Sequence, residues 1–355
     1  MRKALPALTG FVKATSSIPR KSLMLGLITG GVLFATPTYA LTLNGAGSSA
    51  IAPLIQAWAR EYAQKTGIEI NYQAVGSGAG IRMVSQRMVD FGASDAPLKP
   101  RQLKRKNLMQ FPIAAFGAVF SYHLPGVDHL RLSTKAVCGI FSGRIRYWDN
   151  PVIVKDNPGV KLPHIPILLV VRADKSGTTY TVTSYLVKAC GRQLRFHKPS
   201  KKPYWGLFNV IAAKGNAGVA AVIQKKFGTL GYVEYTYAVN TGLPVAELQN
   251  RDGYFVKPSL KAFQSALKYA NWGPQNGFYA NLTYQPGKET WPIVGATWAL
   301  LPKERKERNK YVIDFFNWGF TYGDKTAEKL YYAPLPDNVK KEIRSMWKAY
   351  LGGSY

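Results

Sequence analysis

The spacing of apolar and polar residues divides the first folded part of the chain into a strand, a turn and a helix. Residues 41–44 have the apolar character of a strand, and the glycine- and serine-rich turn GAGSSA follows. Residues 51–66 place Leu54 and Trp58 at helical spacing, and Gly67 comes where that helix would end. The pattern therefore predicts a β-turn-α unit.

The same unit recurs twice farther along the chain. Residues 68–75 alternate like a strand, and GSGAG then leads into an amphipathic helix over 81–89. Residues 165–171 form an apolar run that passes directly into RADKSGTT and a helix predicted from Thr178 to Ala189. Strands that alternate with helices favour an α/β fold class with a largely parallel sheet.

The remaining segments have less regular patterns. The short strand VDFGAS brings Asp95 to the start of a loop. The other predicted elements are helices over 215–226, 261–270, 310–322 and 337–350, a strand over 230–238, and a basic, solvated connection over 97–106.

The first 40 residues have the layout of a secretory signal. They contain five basic residues and no acidic residue, followed by the mostly apolar run Leu23–Phe34 and the sequence ATPTYA. About 12 apolar residues are fewer than the roughly 20 that span a bilayer as a helix. We therefore expect a signal peptide over 1–40, cleaved after Ala40, rather than a retained anchor.

Composition indicates a folded, strongly basic protein. Hydrophobic residues make up 46% of the 355 residues and charged residues 19%, which excludes wholesale disorder. The 47 Lys and Arg residues exceed the 19 Asp and Glu residues, giving a formal net charge of +28. Such an excess favours anionic partners without specifying the anion.

Cysteine and histidine give little indication of chemistry. Cys138 and Cys190 are the two cysteines, and an oxidising compartment would permit a disulfide between them, although two buried thiols are equally compatible. The four histidines are scattered singly, and no HExxH motif or paired cysteine motif occurs. We therefore expect no metal site and no cofactor.

Three loops have the features of an oxyanion site. GAGSSA, GSGAG and SGTT each lie between a predicted strand and a predicted helix. A helix N-terminus presents unpaired N–H groups and a partial positive charge, and Ser or Thr adds hydroxyl donors. Any single loop is also explained by helix capping, whereas three together favour an anion site. No GxxxxGK[ST] motif is present, which disfavours nucleotide hydrolysis.

These segments resemble a known family. The sequences NGAGSSAIAPLIQAWAREY, INYQAVGSGAGIRMV, VDFGASDAPL, VVRADKSGTTY, KGNAGVAAVI, LGYVEYTYA, QPGKETWPIVGAT and YAPLP are similar to those of periplasmic phosphate-binding proteins of Pst-type ABC importers. The matches run in order over nearly the entire chain after residue 40. VDFGASDAPL and RADxSGT are the most specific of them.

The resemblance implies a set of phosphate contacts, which are transferred one position at a time. They are the hydroxyl of Ser49, the backbone N–H of Ala50, Ser77, Asp95, Arg172, Ser176, Gly177 and Thr178. Asp174 would hold the Arg172 guanidinium in place. This chain departs from the family at Ser49-Ala50, where Thr-Phe is common, and at Lys175, where the family motif has glycine.

The resemblance also implies the architecture and the partners. We expect a two-lobed periplasmic binding protein of type II-like fold, with the ligand cleft between lobes joined by crossing hinge strands. Residues 41–114 and 295–355 would form lobe I, and residues 115–294 lobe II. The implied function is high-affinity binding of inorganic phosphate and its delivery, by a monomer, to the permease subunits of an ABC importer with a cytoplasmic ATPase.

Two alternatives belong to other classes of protein. A secreted phosphatase-like enzyme could use the same cleft, although no histidine lies in the three loops to activate a serine. A polyanion-binding or surface-binding protein would use basic stretches, which could equally be solvated faces. These stretches are Arg101–Lys106, Lys188–Lys202, Lys303–Lys310 and Lys340–Lys348. Without a recognisable nucleic-acid-binding motif, no nucleic-acid partner is expected.

Overall fold

The structure, a computed structural model, describes residues 41–353, and the predicted signal peptide over 1–40 lies outside them. The strands are β1 (Thr42–Gly47), β2 (Glu69–Gln73), β3 (Phe91–Ser94), β4 (Leu108–His123), β5 (Arg131–Leu132), β6 (Leu168–Arg172), β7 (Val210–Ala213), β8 (Thr229–Glu234), β9 (Glu247–Gln249), β10 (Phe255–Val256) and β11 (Val294–Pro302). The helices are α1 (Ala52–Thr66), α2 (Ser77–Ser85), α3 (Pro100–Lys106), α4 (Thr134–Phe141), α5 (Pro151–Asp156), α6 (Gly177–Cys190), α7 (Gly215–Lys225), α8 (Tyr235–Asn240), α9 (Leu260–Leu267), α10 (Lys306–Tyr322), α11 (Asp324–Lys329) and α12 (Asp337–Leu351). Within this part of the chain, no helix combines the length and apolar character needed to cross a membrane.

Eight of the strands form one mixed sheet in the order β2-β1-β3-β11-β4-β8-β6-β7. Pairing is parallel within β2-β1-β3 and within β8-β6-β7, as the β-turn-α units predicted. The centre is antiparallel, because β11 pairs with both β3 and β4, and β4 pairs with β8. The expectation of a largely parallel sheet therefore holds for the two outer parts and fails at the centre.

The long strand β4 aligns the two outer parts. Its residues 108–117 pair with β11, and its residues 118–123 pair with β8, which ends at Glu234 opposite Ala118. Because β3 runs in the direction of β4 and β8 runs against it, the two parallel sets point toward each other. Their carboxyl ends therefore face one another near the middle of β4. The chain is thus two-lobed, with crossing strands between the lobes.

The C-terminal helices pack on the part of the sheet that contains β1 and β3. Trp58 of α1 donates its indole N–H to the carbonyl of Gly323 at 3.0 Å. Phe111 of β4 meets Trp347 of α12 edge-to-face, with 4.9 Å between ring centroids. The discontinuous first lobe, with its boundaries at residues 114 and 295, stays a prediction.

The helix predicted over 81–89 lies at Ser77–Ser85, and two other segments adopt a different kind of structure from the one predicted. The basic connection over 97–106 contains helix α3, because Leu103 is buried in a small apolar cluster and the Gln102 side chain accepts the N–H of Lys99. The strand predicted over 230–238 ends at Glu234, whose side-chain Oε1 accepts the N–H of Thr236 and caps the start of helix α8.

Glu234 joins three segments through a buried carboxyl group. Its Oε1 accepts from the N–H and the hydroxyl of Thr236 at 3.0 and 3.1 Å. The Tyr332 hydroxyl lies 2.5 Å from the carbonyl oxygen of Ala50 and 3.2 Å from Glu234 Oε2. A phenol has one hydrogen, so a protonated Glu234 can donate to Tyr332 while Tyr332 donates to Ala50. Burial raises the pKa of Glu234 to about 8, which agrees with this arrangement.

Cys138 and Cys190 form a disulfide, which decides between the two alternatives that the sequence left open. The bridge connects α4 to the C-terminal end of α6, across 52 residues of sequence. Both cysteines are buried. The disulfide therefore fixes the far end of the helix whose first turn contains SGTT.

Removing the disulfide with the double substitution Cys138→Ala and Cys190→Ala should lower the free energy of unfolding. The chain-entropy model gives about 4 kcal/mol for a loop of this length, and native disulfides typically contribute roughly 2–5 kcal/mol. Urea unfolding measures the change. Reductant should destabilise the wild type similarly and leave the variant unchanged, and equal unfolding midpoints for both proteins would contradict the prediction.

The substitution Glu234→Gln should change how stability depends on pH. The folded-state pKa of about 8 exceeds the ordinary glutamate pKa of 4.5, so the wild type loses stability as pH rises between these values. A glutamine amide can donate to Tyr332 as a protonated carboxyl does, and it does not titrate. Urea unfolding at several pH values should show that the free energy of unfolding of the variant increases relative to that of the wild type, by on the order of 3 kcal/mol over this range. Parallel stability curves would show that Glu234 does not retain its proton.

Candidate functional site

The three loops singled out in the sequence come together where the two sets of strands face each other. β1 and β3 deliver Ser49 and Asp95 from one side, and β6 delivers Arg172 from the other. A Cβ atom built on Gly177 would lie 2.3 Å from Ser77 Oγ and 2.5 Å from Asp95 Oδ2. The first turn of α6 therefore packs directly on α2 and on the end of β3, which only glycine permits.

The predicted site residues form one connected, buried group. All of them except Asp174 and Gly177 are at most 5% exposed, and Gly177 is also buried. The group consists of Ser49, Ala50, Ser77, Asp95, Arg172, Asp174, Ser176, Gly177 and Thr178.

Asp95 lies at the centre of this group, with its carboxylate held by two hydroxyls. Ser48 Oγ donates to Asp95 Oδ2 at 2.7 Å, and Thr297 Oγ1 donates to Asp95 Oδ1 at 2.6 Å. Burial raises the pKa of Asp95 to about 6, although these hydroxyls and the charge of Arg172 act in the opposite direction. A carboxylate has about four lone-pair positions, so Asp95 can accept a further hydrogen bond.

Three hydroxyl groups of the site accept hydrogen bonds from the protein. Ser49 Oγ accepts from the backbone and side-chain N–H groups of Asn216 at 3.2 and 3.0 Å. Thr178 Oγ1 accepts from the same side-chain amide at 3.4 Å, and Ser77 Oγ accepts the N–H of Asp95 at 3.1 Å. Because a hydroxyl that accepts still has its own hydrogen, all three can donate to an oxyanion.

Arg172 is fixed by a two-point ion pair with Asp174. Its Nε and Nη2 lie 2.8 and 2.6 Å from the two carboxylate oxygens, and Nη1 lies 3.5 Å from Thr178 Oγ1. Burial acts to raise the pKa of Asp174, but the hydrogen bonds from Arg172, the charge of Arg172 and the N–H of Gly215 together lower it below its ordinary value. The Arg172 side chain is 1% exposed, so its charge acts in surroundings that screen little.

The first turn of α6 supplies backbone donors. Ser176 is the N-cap residue, and its Oγ accepts the N–H of Thr179 at 3.0 Å. The amides of Gly177 and Thr178 have no acceptor within the helix, as in any first turn. At the other loop, the Ala50 N–H donates to Ser48 Oγ at 3.0 Å, so this predicted contact is occupied by a hydroxyl of the protein.

Three residues of the site were not among those predicted. Ser48 and Thr297 hold Asp95, and Asn216 connects Ser49 to Thr178 across the two lobes. Asn216 lies in the first turn of helix α7, in the segment KGNAG, a signal of the same kind as the other loops. Thr297 lies within a strand, and nothing in the local sequence distinguishes it. Among residues 41–353, no group of His, Cys, Asp or Glu side chains is arranged to hold a metal ion.

Comparison with known proteins identifies the family. Residues 34–321 match the profile described as PBP superfamily domain. The phosphate-binding protein PstS of Pasteurella multocida is 39% identical over 325 residues, which are 90% of this chain and 94% of that protein. The PstS protein of Haemophilus influenzae is 38% identical over 314 residues, covering 87% and 93% of the two chains.

Solved structures agree in fold. The crystal structure of a phosphate-binding protein from Stenotrophomonas maltophilia superposes with a TM-score of 0.67 at 21% identity, covering 89% of this chain and 96% of that one. At that identity the similarity concerns the fold, whereas the sequence relatives share more than a third of their residues along nearly their whole length. The chain belongs to the PBP superfamily and, within it, to the PstS family of phosphate-binding proteins.

Proposed function

We propose that this protein binds inorganic phosphate in the periplasm and delivers it to a phosphate ABC importer. The observation that supports this most is the convergence of free hydroxyl donors, helix N–H groups and one fixed arginine on a buried carboxylate. Charge-assisted hydrogen bonds from Arg172 and neutral donors from Ser49, Ser77 and Thr178 together suit a desolvated oxyanion. Of the set proposed from the sequence, the Ala50 N–H is already bonded to Ser48 Oγ, so we assign the ligand contacts to Ser49, Ser77, Asp95, Arg172 and the first turn of α6.

Asp95 determines which oxyanion binds. Phosphate at neutral pH carries at least one hydrogen, which Asp95 can accept, whereas sulfate is fully ionised and has none. Bound sulfate would leave the carboxylate unpaired beside a second negative charge, at a position that is 2% exposed. A site that requires a particular hydrogen bond can discriminate by about 10⁴-fold or more.

The location and the transport role extend this proposal. The predicted signal peptide supports export to the periplasm, where a disulfide such as Cys138–Cys190 is stable. Contacts between the lobes, such as the hydrogen bond from Asn216 to Ser49, support closure of the lobes on the ligand. In this proposal, residues 41–114 and 295–355 form one lobe, and residues 115–294 form the other. We expect the closed monomer to dock on the permease subunits through both lobes.

Calorimetric titration of the protein, stripped of bound anion, tests the function. We expect one phosphate site with a dissociation constant of roughly 1 µM or tighter and little response to sulfate, at both low and high salt. Weak, unselective and steeply salt-dependent binding would overturn the proposal, because it would place the anion on the basic surface.

The substitution Asp95→Asn should relax the selectivity for phosphate over sulfate. An amide can donate to a fully ionised oxyanion, so we expect the ratio of the two dissociation constants to fall by at least about 100-fold. Titrations with both anions measure that ratio.

The wild type should also lose selectivity as pH falls below about 6, because Asp95 then gains a proton and becomes a donor, whereas the variant should not respond.

The exposed residue Asp337 provides a matched control for this experiment. Asp337→Asn removes the same charge from the start of α12, outside the site, and should keep the wild-type ratio. Unchanged selectivity in the Asp95 variant would remove Asp95 from this role.

A further inference from the structure

A second cavity opens beside the site, at the rim of the cleft. Its volume is about 380 Å³, within the range of small-molecule sites. One wall consists of α2 with Gly78 and Arg82, and the other consists of Asp174, Lys175 and Lys214 from the loops after β6 and β7. The cavity therefore contacts both lobes.

Backbone contact between the lobes separates this cavity from the buried site. The N–H of Gly78 donates to the carbonyl of Lys175 at 2.8 Å, which joins the first turn of α2 to the RADKSGTT loop. Asp174 belongs to both places, because it lines the cavity and holds Arg172 at 2.6 and 2.8 Å. The cavity is thus next to the proposed phosphate site and outside it.

The cavity contains three positive charges without ion-pair partners. Arg82, Lys175 and Lys214 are exposed, and among the described residues none of these side chains forms an ion pair or a hydrogen bond. Asp174, the one acidic residue of the lining, directs both carboxylate oxygens to Arg172 and also accepts the N–H of Gly215. Its charge is therefore already balanced, and the cavity carries an excess of three.

The pKa of the neighbouring Lys201 is affected by positive charges of the same rim. Its pKa is lowered by burial and, next, by the positive charges of Lys175 and Lys106. Lys106 ends α3 on one lobe, whereas Lys175 and Lys201 lie on the other, so the positive rim continues around the mouth of the cleft. A recess lined by one sign of charge raises the local concentration of the opposite ion.

We propose that this cavity is an outer oxyanion site, in which Arg82, Lys175 and Lys214 capture phosphate at the cleft mouth before it enters the buried site. The proposal rests on the proposed function and adds a step to it. The two sites differ in chemistry. Exposed cations hold any hydrated oxyanion weakly and by charge, while the buried site selects by hydrogen bonding around Asp95.

Stopped-flow measurement of phosphate association tests the step. The triple variant Arg82→Gln, Lys175→Gln and Lys214→Gln should bind phosphate at least about tenfold more slowly at low salt, with the dissociation rate constant changed less than about twofold. The difference should disappear at about 0.5 M salt, where the screening length is only a few ångströms.

The matched control is the triple variant Arg60→Gln, Lys225→Gln and Lys341→Gln. It removes the same charge from exposed positions that do not line the cavity. It should associate within about twofold of the wild type. Equal slowing in both variants would overturn the proposal in favour of overall net charge, and wild-type association in the rim variant would also overturn it.

Direct detection separates this proposal from the function of the buried site. With the buried site saturated by phosphate, sulfate added at low salt should shift the amide ¹⁵N–¹H resonances of Gly78 and Lys175 in the wild type. The rim variant should show no such shift. Absence of the shift in wild type would refute the outer site even if phosphate binds tightly, while absence of tight phosphate binding would refute the buried site alone.

Discussion

The structure depends on one strand that belongs to both lobes. β4 pairs with β11 along its first ten residues and with β8 along its last six, and each pairing is antiparallel. This register makes the two sets of parallel strands point at each other. Since loops and helix N-termini follow the carboxyl ends of strands, the three Gly/Ser-rich loops arrive at the same place. A shift in this register would separate the two halves of the site.

Within the candidate site, the charged groups do not sum to a positive charge, so the proposed specificity rests on hydrogen bonding. Arg172 is paired with Asp174, and Asp95 is held by hydroxyls, so the buried groups do not attract an anion simply by net charge. The hydroxyls of Ser49, Ser77 and Thr178 accept hydrogen bonds from the protein, which leaves their own hydrogens available to a ligand. A buried donor or acceptor that lacks a hydrogen-bond partner raises the free energy of the complex. This penalty allows discrimination between oxyanions of similar size.

The large positive charge of the chain lies outside the buried site. It lies on exposed side chains such as Arg82 and Lys175, where water and salt screen it. An exposed cation contributes to the rate at which an anion arrives, whereas a buried, hydrogen-bonded group determines which anion stays. Under the proposed function, the separation of these two tasks lets a protein with a formal charge of +28 select among anions.

The sequence by itself determined the local units and supplied most of the residues of the candidate site. Gly-rich turns between strands and helices predicted the loops, and family resemblance predicted residues such as Ser77 and Asp95, because these lie within continuous motifs. Helix α3 was missed, since Leu103 alone among basic residues gives little periodicity.

Only the tertiary structure decided what depends on pairing between distant segments. Thr297 reaches Asp95 because β11 is antiparallel to β3, and 202 residues separate the two in sequence. The pairing of Cys138 with Cys190 and the raised pKa of Glu234 likewise depend on residues that are distant in sequence and close in space. Local sequence specifies backbone preference, whereas contacts between strands and the burial of charge arise only when the whole sheet is assembled.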